Sequence, residues 1–242
     1  MVQQSTREAG GQKLKRMMGT YITPSKEVFR HSKRDLSMHV NAKGWVEFDL
    51  ETNRSVESQA KSNLRLFTCQ HVPSPHFDQR PNDVEIDLLV MHNISLPPGE
   101  FGGGYVHQLF AGTLDLAAHA WFENLKGVRV SAHFLIERDG HVTQFVSCHD
   151  RAWHAGVSTF DGREKCNDFS IGIELEGTDN LPYTELQYAA LALLTAALKQ
   201  ALPLKSVRGH CHIAPERKTD PGTSFDWSRY AREAKWPRHA LP

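Results

Sequence analysis

The segment GHCHIAPERKTDPG, residues 209–222, sets two histidines, a cysteine, a lysine, an arginine, a glutamate and an aspartate within fourteen positions. Two prolines and two glycines shape its backbone. His210 and Asp220 are donor types found in zinc sites, and catalytic zinc takes three protein ligands with a fourth position left for water. His92, closing the apolar run IDLLVMH (86–92), offers the third donor if the loop packs beside that strand. Spacing alone leaves the matter open. The chain has fourteen histidines and no compact HExxH arrangement, so His92 taken singly reads better as an ordinary core or surface histidine.

A hydrolytic zinc site also needs a proton acceptor and a cation where negative charge develops. In FSIGIELEG (169–177), Phe169, Ile171, Ile173 and Leu175 alternate with Ser170, Gly172, Glu174 and Glu176, the pattern of a half-buried strand. Its polar face carries both carboxylates towards a cleft or towards solvent. Apolar neighbours would raise the pKa of Glu174 into the range of a general base; the other reading has both glutamates solvating the sheet. Lys218 shares one side of an extended loop with Asp220, where an ammonium can stabilise an oxyanion or simply face water. On the residues alone, the chain is a candidate zinc hydrolase.

The elements that must hold these groups follow from pattern. IDLLVMH predicts a strand buried on both faces, followed by the glycine- and proline-rich stretch PPGEFGGG and a helical insertion around 114–125. VSAHFLIE and HVTQFVS flank Asp139-Gly140, a hairpin signal. Thr184-Glu185-Leu186-Gln187 forms a capping box for the helix TELQYAALALLTAALKQAL. SVRGH reads as a short strand delivering His210, and Ser224 as the cap of a last helix, FDWSRYAREA. This order predicts one α/β domain over residues 61–242, a central mixed β-sheet flanked by helices.

Composition narrows the class. Lys and Arg total 28, as do Asp and Glu, so no net field draws the protein to nucleic acid or an anionic membrane. Residues 1–37 hold eight Lys/Arg against three Asp/Glu, a net of +5, leaving −5 for residues 38–242. Residues 1–60 are polar, basic and aperiodic, and are expected to form a poorly ordered extension; Met38 is a candidate start. The basic N-terminus lacks the apolar stretch of a secretory signal, and YAALALLTAAL (188–198) is too short to cross a bilayer. Four scattered cysteines without CxxC spacing suit a reducing compartment, so a cytoplasmic address is expected.

From VPSPHFDQRP (72–81) to SFDWSRY (224–230), the chain carries MHNISLPPGEFGG, RVSAHFLI, RAWHAGVS, REKCNDFSIGIELEGTDN and GHCHIAPERKTDPG. Over about two-thirds of its length it thereby resembles the AmpD family of N-acetylmuramoyl-L-alanine amidases. These are zinc enzymes of cell-wall recycling, related more distantly to phage amidases and animal peptidoglycan-recognition proteins. The resemblance implies that fold, one zinc per chain on His92, His210 and Asp220, a catalytic carboxylate at Glu174 and a transition-state lysine at Lys218. It also implies substrate contacts at Asn93, Arg129, Trp153, His154 and Arg217. Lys165 stands where the family often has Arg, and cannot hold a carboxylate as a bidentate fork. The implied substrate is a small soluble muropeptide, cut at the lactyl amide between anhydro-N-acetylmuramic acid and L-alanine by a monomer. Three rivals stand beside this: an exported autolysin acting on intact peptidoglycan, a non-catalytic binding module, and a cysteine hydrolase pairing Cys211 with His210 or His212.

Overall fold

The computed structural model describes residues 36–50 and 69–242. Residues 1–35 and 51–68, most of the expected extension, lie outside the described residues. The strands in chain order are β1 (Leu36–Val40), β2 (Val46–Leu50), β3 (Cys69–His71), β4 (Phe77–Gln79), β5 (Leu88–Ile94) and β6 (Phe134–Ile136). There follow β7 (Val142–Gln144), β8 (Asp150–Ala152), β9 (Thr159–Phe160), β10 (Arg163–Glu164), β11 (Ser170–Glu176) and β12 (Ser206–Gly209). Helices span Tyr105–Phe110, Glu185–Ala201, His210–Ile213 and Trp227–Glu233.

Six strands form the central sheet in the order β12-β5-β11-β6-β7-β3. The first four run parallel, β7 is antiparallel to β6, and β3 is parallel to β7, so the sheet is mixed. Parallel strands covered on both faces lose any polar side, which is why β5 reads as unbroken Leu-Leu-Val-Met. On one face Leu89, Met91, Ile171 and Ile173 pack against Ala190, Leu191, Leu194 and Ala197 of the long helix. On the other, Leu88 and Val90 meet Ala155, Cys166, Phe169 and Ile213. By the two-residue period, His92 and Glu174 belong to this second face.

The long helix begins at the expected capping box, with Gln187 N donating to Thr184 Oγ1 (3.1 Å) and Thr184 N to Gln187 Oε1 (3.0 Å). Buried Gln187 also donates to Ile136 O and Glu176 O, tying the helix start to the ends of β6 and β11. The turn at Asp139-Gly140 joins β6 to β7, with Gly140 at φ +86°.

Four expectations need correction. The strand over 170–176 is buried along its whole length, not half-buried: His154 packs on Gly172, Asp220 and Lys218 lie near Glu174, and Gly102 N and Arg138 N donate to Glu176. The insertion forms two short 3₁₀ turns, Leu116–Ala118 and Ala120–Leu125, after a helix at Tyr105–Phe110 that follows the glycine run. The last helix is capped by Asp226, which accepts from Arg229 N, rather than by Ser224. Finally, residues 36–50 are not extension. β1 and β2 form a hairpin whose Met38 and Val46 are 4% and 0% exposed, with β1 against the long helix. Val46 N donates to Gln144 Oε1 (2.7 Å), and Gln144 Nε2 to Gly44 O (2.9 Å). Its turn signal was local: Asn41 Oδ1 accepts from Lys43 N and Trp45 N, and Gly44 takes φ +78°.

Candidate active site

Register builds one side of the site. Glu174 of β11 pairs with His92 of β5, and Gly209 of β12 pairs with Met91, so His210 follows beside His92. His210, His92 and Glu174 thus cross three neighbouring strands, about 4.8 Å apart, at the carboxyl ends where open parallel sheets hold ligands. Asp220 arrives by the loop. Cys211 N donates to Asp220 O (2.9 Å) and Tyr183 Oη to Pro221 O (2.7 Å), folding the loop back on the short helix. Gly222 has φ +80°, and a Cβ there would lie 2.1 Å from Asp179 Cα, so this backbone approach admits no side chain.

Asp220 Oδ2 lies 2.9 Å from His92 Nδ1 and 3.1 Å from His210 Nδ1. One donor atom from each of the three residues falls within 4.8 Å of the others. Tetrahedral zinc with bonds of about 2.0–2.1 Å spaces its donors about 3.3 Å apart, a few tenths beyond these distances. His210 Nε2 stands 3.0 Å from Ala155 O, which can only accept. The proton is therefore on Nε2, and a neutral His210 turns the Nδ1 lone pair at a carboxylate oxygen. A divalent cation between them resolves that opposition, and a backbone carbonyl behind a ligating histidine is the usual support. The donor set fits zinc.

Burial, the largest influence, lowers the pKa of His92, with Asp220 pulling the other way. For Asp220 burial pushes up, but the close approach of the His210 and His92 rings outweighs it and holds the carboxyl below its ordinary range. The pair is best described as an ionised Asp220 beside a neutral His92. Burial and then the Asp220 charge push Glu174 well above the usual carboxylate value, with Lys218 opposing. Glu174 Oε2 is buried and makes no hydrogen bond among the described residues. Such an oxygen is costly to leave without a polar partner, and it sits beside the three donors.

Lys218 and Arg217 are exposed and line, with Asn93, Asp179, Thr219 and Asp220, a cleft of about 450 Å³. Asn93 Nδ2 donates to Asp179 Oδ1 (2.8 Å), and Arg217 Nη2 donates to Ala155 O (3.1 Å). Arg129, Trp153 and Lys165 are not in this lining. Trp153 stacks on His76, and its backbone pairs with Ser131 two residues from exposed Arg129. Lys165 is exposed on a left-handed backbone, φ +57°. His154, expected as a substrate contact, packs against His92, Nδ1 3.0 Å from His92 Nε2, with its ring against Gly172.

Asp179, which bonds Asn93 and holds the returning loop through Ser224 N, was missed; TDN signals only a turn. Glu176 is a scaffold residue, accepting from Gly102 N and Arg138 N. For the cysteine alternative, Cys211 Sγ lies 3.6 Å from His212 Nδ1, but that nitrogen also accepts from Gly209 N (2.9 Å), both His210 nitrogens have other partners, and burial raises the Cys211 thiol.

Residues 82–223 match the family described as N-acetylmuramoyl-L-alanine amidase, and the chain belongs to that family. It is an amidase. Among its relatives, the 1,6-anhydro-N-acetylmuramyl-L-alanine amidase AmpD of Citrobacter freundii is 59% identical over 167 residues, covering 68% of this chain and 89% of that protein. The enzyme of the same name from Haemophilus influenzae is 54% identical over 173 residues, covering 70% and 94%. A crystal structure of selenomethionine AmpD superposes with a TM-score of 0.67 at 59% identity, over 68% of this chain and 93% of the other. A Clostridium intestinale endolysin, 14% identical with a TM-score of 0.52 over 70% of this chain and 97% of its own, shares the fold. Among the described residues no helix is long and apolar enough to cross a membrane.

Proposed function

We propose that this chain is a zinc-dependent amidase that hydrolyses the lactyl amide between anhydro-N-acetylmuramic acid and the L-alanine of free muropeptides. The observation that carries the reading is the convergence of His92, His210 and Asp220 beside a buried Glu174 whose Oε2 makes no hydrogen bond among the described residues. His92, His210 and Asp220 would hold zinc, which when bound supplies Lewis acidity and a water of lowered pKa. Glu174 takes a proton from the attacking water, and returns it to the amine nitrogen of L-alanine as the C–N bond breaks. The Lys218 ammonium stabilises the negative charge that grows on the former carbonyl oxygen. Asn93 and Arg217, in the wall of the cleft, bind polar groups of the substrate, and Arg129, Trp153 and Lys165 are the further contacts the family resemblance implies.

The names of its relatives, 1,6-anhydro-N-acetylmuramyl-L-alanine amidases, support the anhydro substrate. Every group the mechanism uses comes from one chain, so a monomer with one zinc suffices. All four cysteines are free, which supports a reducing cytoplasm. The test is mass spectrometry of products from soluble anhydromuropeptide and from intact sacculi, with zinc measured on the same preparation. Release of the stem peptide from the soluble fragment is expected to dominate. Equal rates on sacculi would replace the reading with an autolysin, and activity unaffected by complete zinc removal would end the metal assignment.

A further inference from the structure

His154 does no chemistry in the mechanism above, yet it is packed into the site. Its Nδ1 is 3.0 Å from His92 Nε2, its Nε2 is 3.3 Å from Ser170 Oγ, and Ser170 Oγ is 2.5 Å from Cys166 O. The protons on this chain of contacts can be assigned from its far end. Cys166 O only accepts, so the Ser170 hydroxyl donates to it. The Ser170 oxygen then faces His154 as an acceptor, so the His154 proton is on Nε2 and its Nδ1 carries a lone pair. His92 must donate to that lone pair from Nε2. What remains on His92 is an Nδ1 lone pair, 2.9 Å from Asp220 Oδ2. Ala155 O imposes the same state on His210 directly.

We propose that His154, anchored by Ser170, is a positioning residue that locks His92 in its Nε2–H tautomer and so presets the Nδ1 lone pair for the metal. The seat is built for it. A Cβ on Gly172 would come within 2.4 Å of the His154 ring, so glycine there is the space the ring occupies. The inference rests on the zinc reading of the site.

The test uses the full chain and two readouts: ring ¹⁵N shifts of His92 in metal-free protein, and the zinc dissociation constant by competition with a chromogenic chelator. Wild-type His92 is expected to show one tautomer, protonated at Nε2. His154→Asn puts an amide oxygen near the Nδ1 acceptor position and keeps the tautomer, with zinc affinity within roughly threefold. His154→Phe removes the acceptor, mixes the tautomers and weakens zinc roughly 10- to 100-fold, the scale for outer partners of a metal ligand. Ser170→Ala deletes one hydroxyl and carries the test should the Phe variant not fold; it too should mix the His92 tautomers. An unchanged His92 tautomer together with unchanged zinc affinity, in whichever of His154→Phe and Ser170→Ala folds, overturns the proposal. Failure of the wild-type chain to bind zinc overturns the metal reading instead.

Discussion

Starting the chain at residue 61 removes the β1–β2 hairpin, while starting it at Leu36 keeps it, and the two should differ sharply in stability. The hairpin buries Met38 and Val46, 4% and 0% exposed, against the core. Losing two such side chains costs about 3–5 kcal/mol. Gln144 Oε1 and Nε2 lose Val46 N and Gly44 O, and Cys148 N loses Gly44 O. Water reaches these groups once the hairpin is gone, so they add about 1–2 kcal/mol. The released chain entropy of the hairpin offsets part of the sum, leaving a net loss of about 3–5 kcal/mol. That is a large share of the roughly 5–15 kcal/mol that holds a domain together. At about 2–4 °C per kcal/mol for a domain of this size, Tm should fall by about 6–20 °C. The assay is thermal unfolding followed by circular dichroism at one zinc concentration, since metal binding itself shifts Tm. A chain from residue 61 melting within about 3 °C of the chain from Leu36 would refute this account of the hairpin.

Asp220→Ala should lose zinc and activity together, because two imidazoles remain; metal analysis beside kinetics checks it, and full zinc in the variant would contradict the assignment. Lys218→Ala and Glu174→Gln should keep zinc near one per chain while kcat falls roughly a hundredfold or more; a wild-type kcat in either would remove that residue from the mechanism. Burial first, then Glu176 and Asp139, push Glu137 up to about 7. Its folded pKa exceeds its unfolded one, so its contribution to stability is full below about pH 4.5 and is lost as pH rises through 7. Glu137→Gln should therefore match wild type at pH 5 and exceed it by about 1–2 kcal/mol at pH 8, a figure reduced for partial solvent access. Urea unfolding at both pH values measures this, and an equal difference at the two would count against it.

Local rules in the sequence determined much of the scaffold. The unbroken apolar run of β5, the alternation of β11, the capping box at Thr184 and the turn at Asp139-Gly140 each depend on residues a few positions apart. The motifs in 209–222 likewise identified the donor types and the family. The tertiary structure decided whatever depends on residues far apart in the chain. Alternation in β11 declared two faces but not that distant segments, among them the loop of Lys218 and Asp220, would close over the second, which turned an exposed carboxylate into a buried one at Glu174. The hairpin at 36–50 is too short for periodicity to mark, and its place in the core comes from Gln144, about a hundred residues away. The proton on His92 was likewise beyond any motif. It follows from Ser170, Cys166 and His154, which meet His92 only because β11 pairs beside β5 and the 150–169 segment folds back over them.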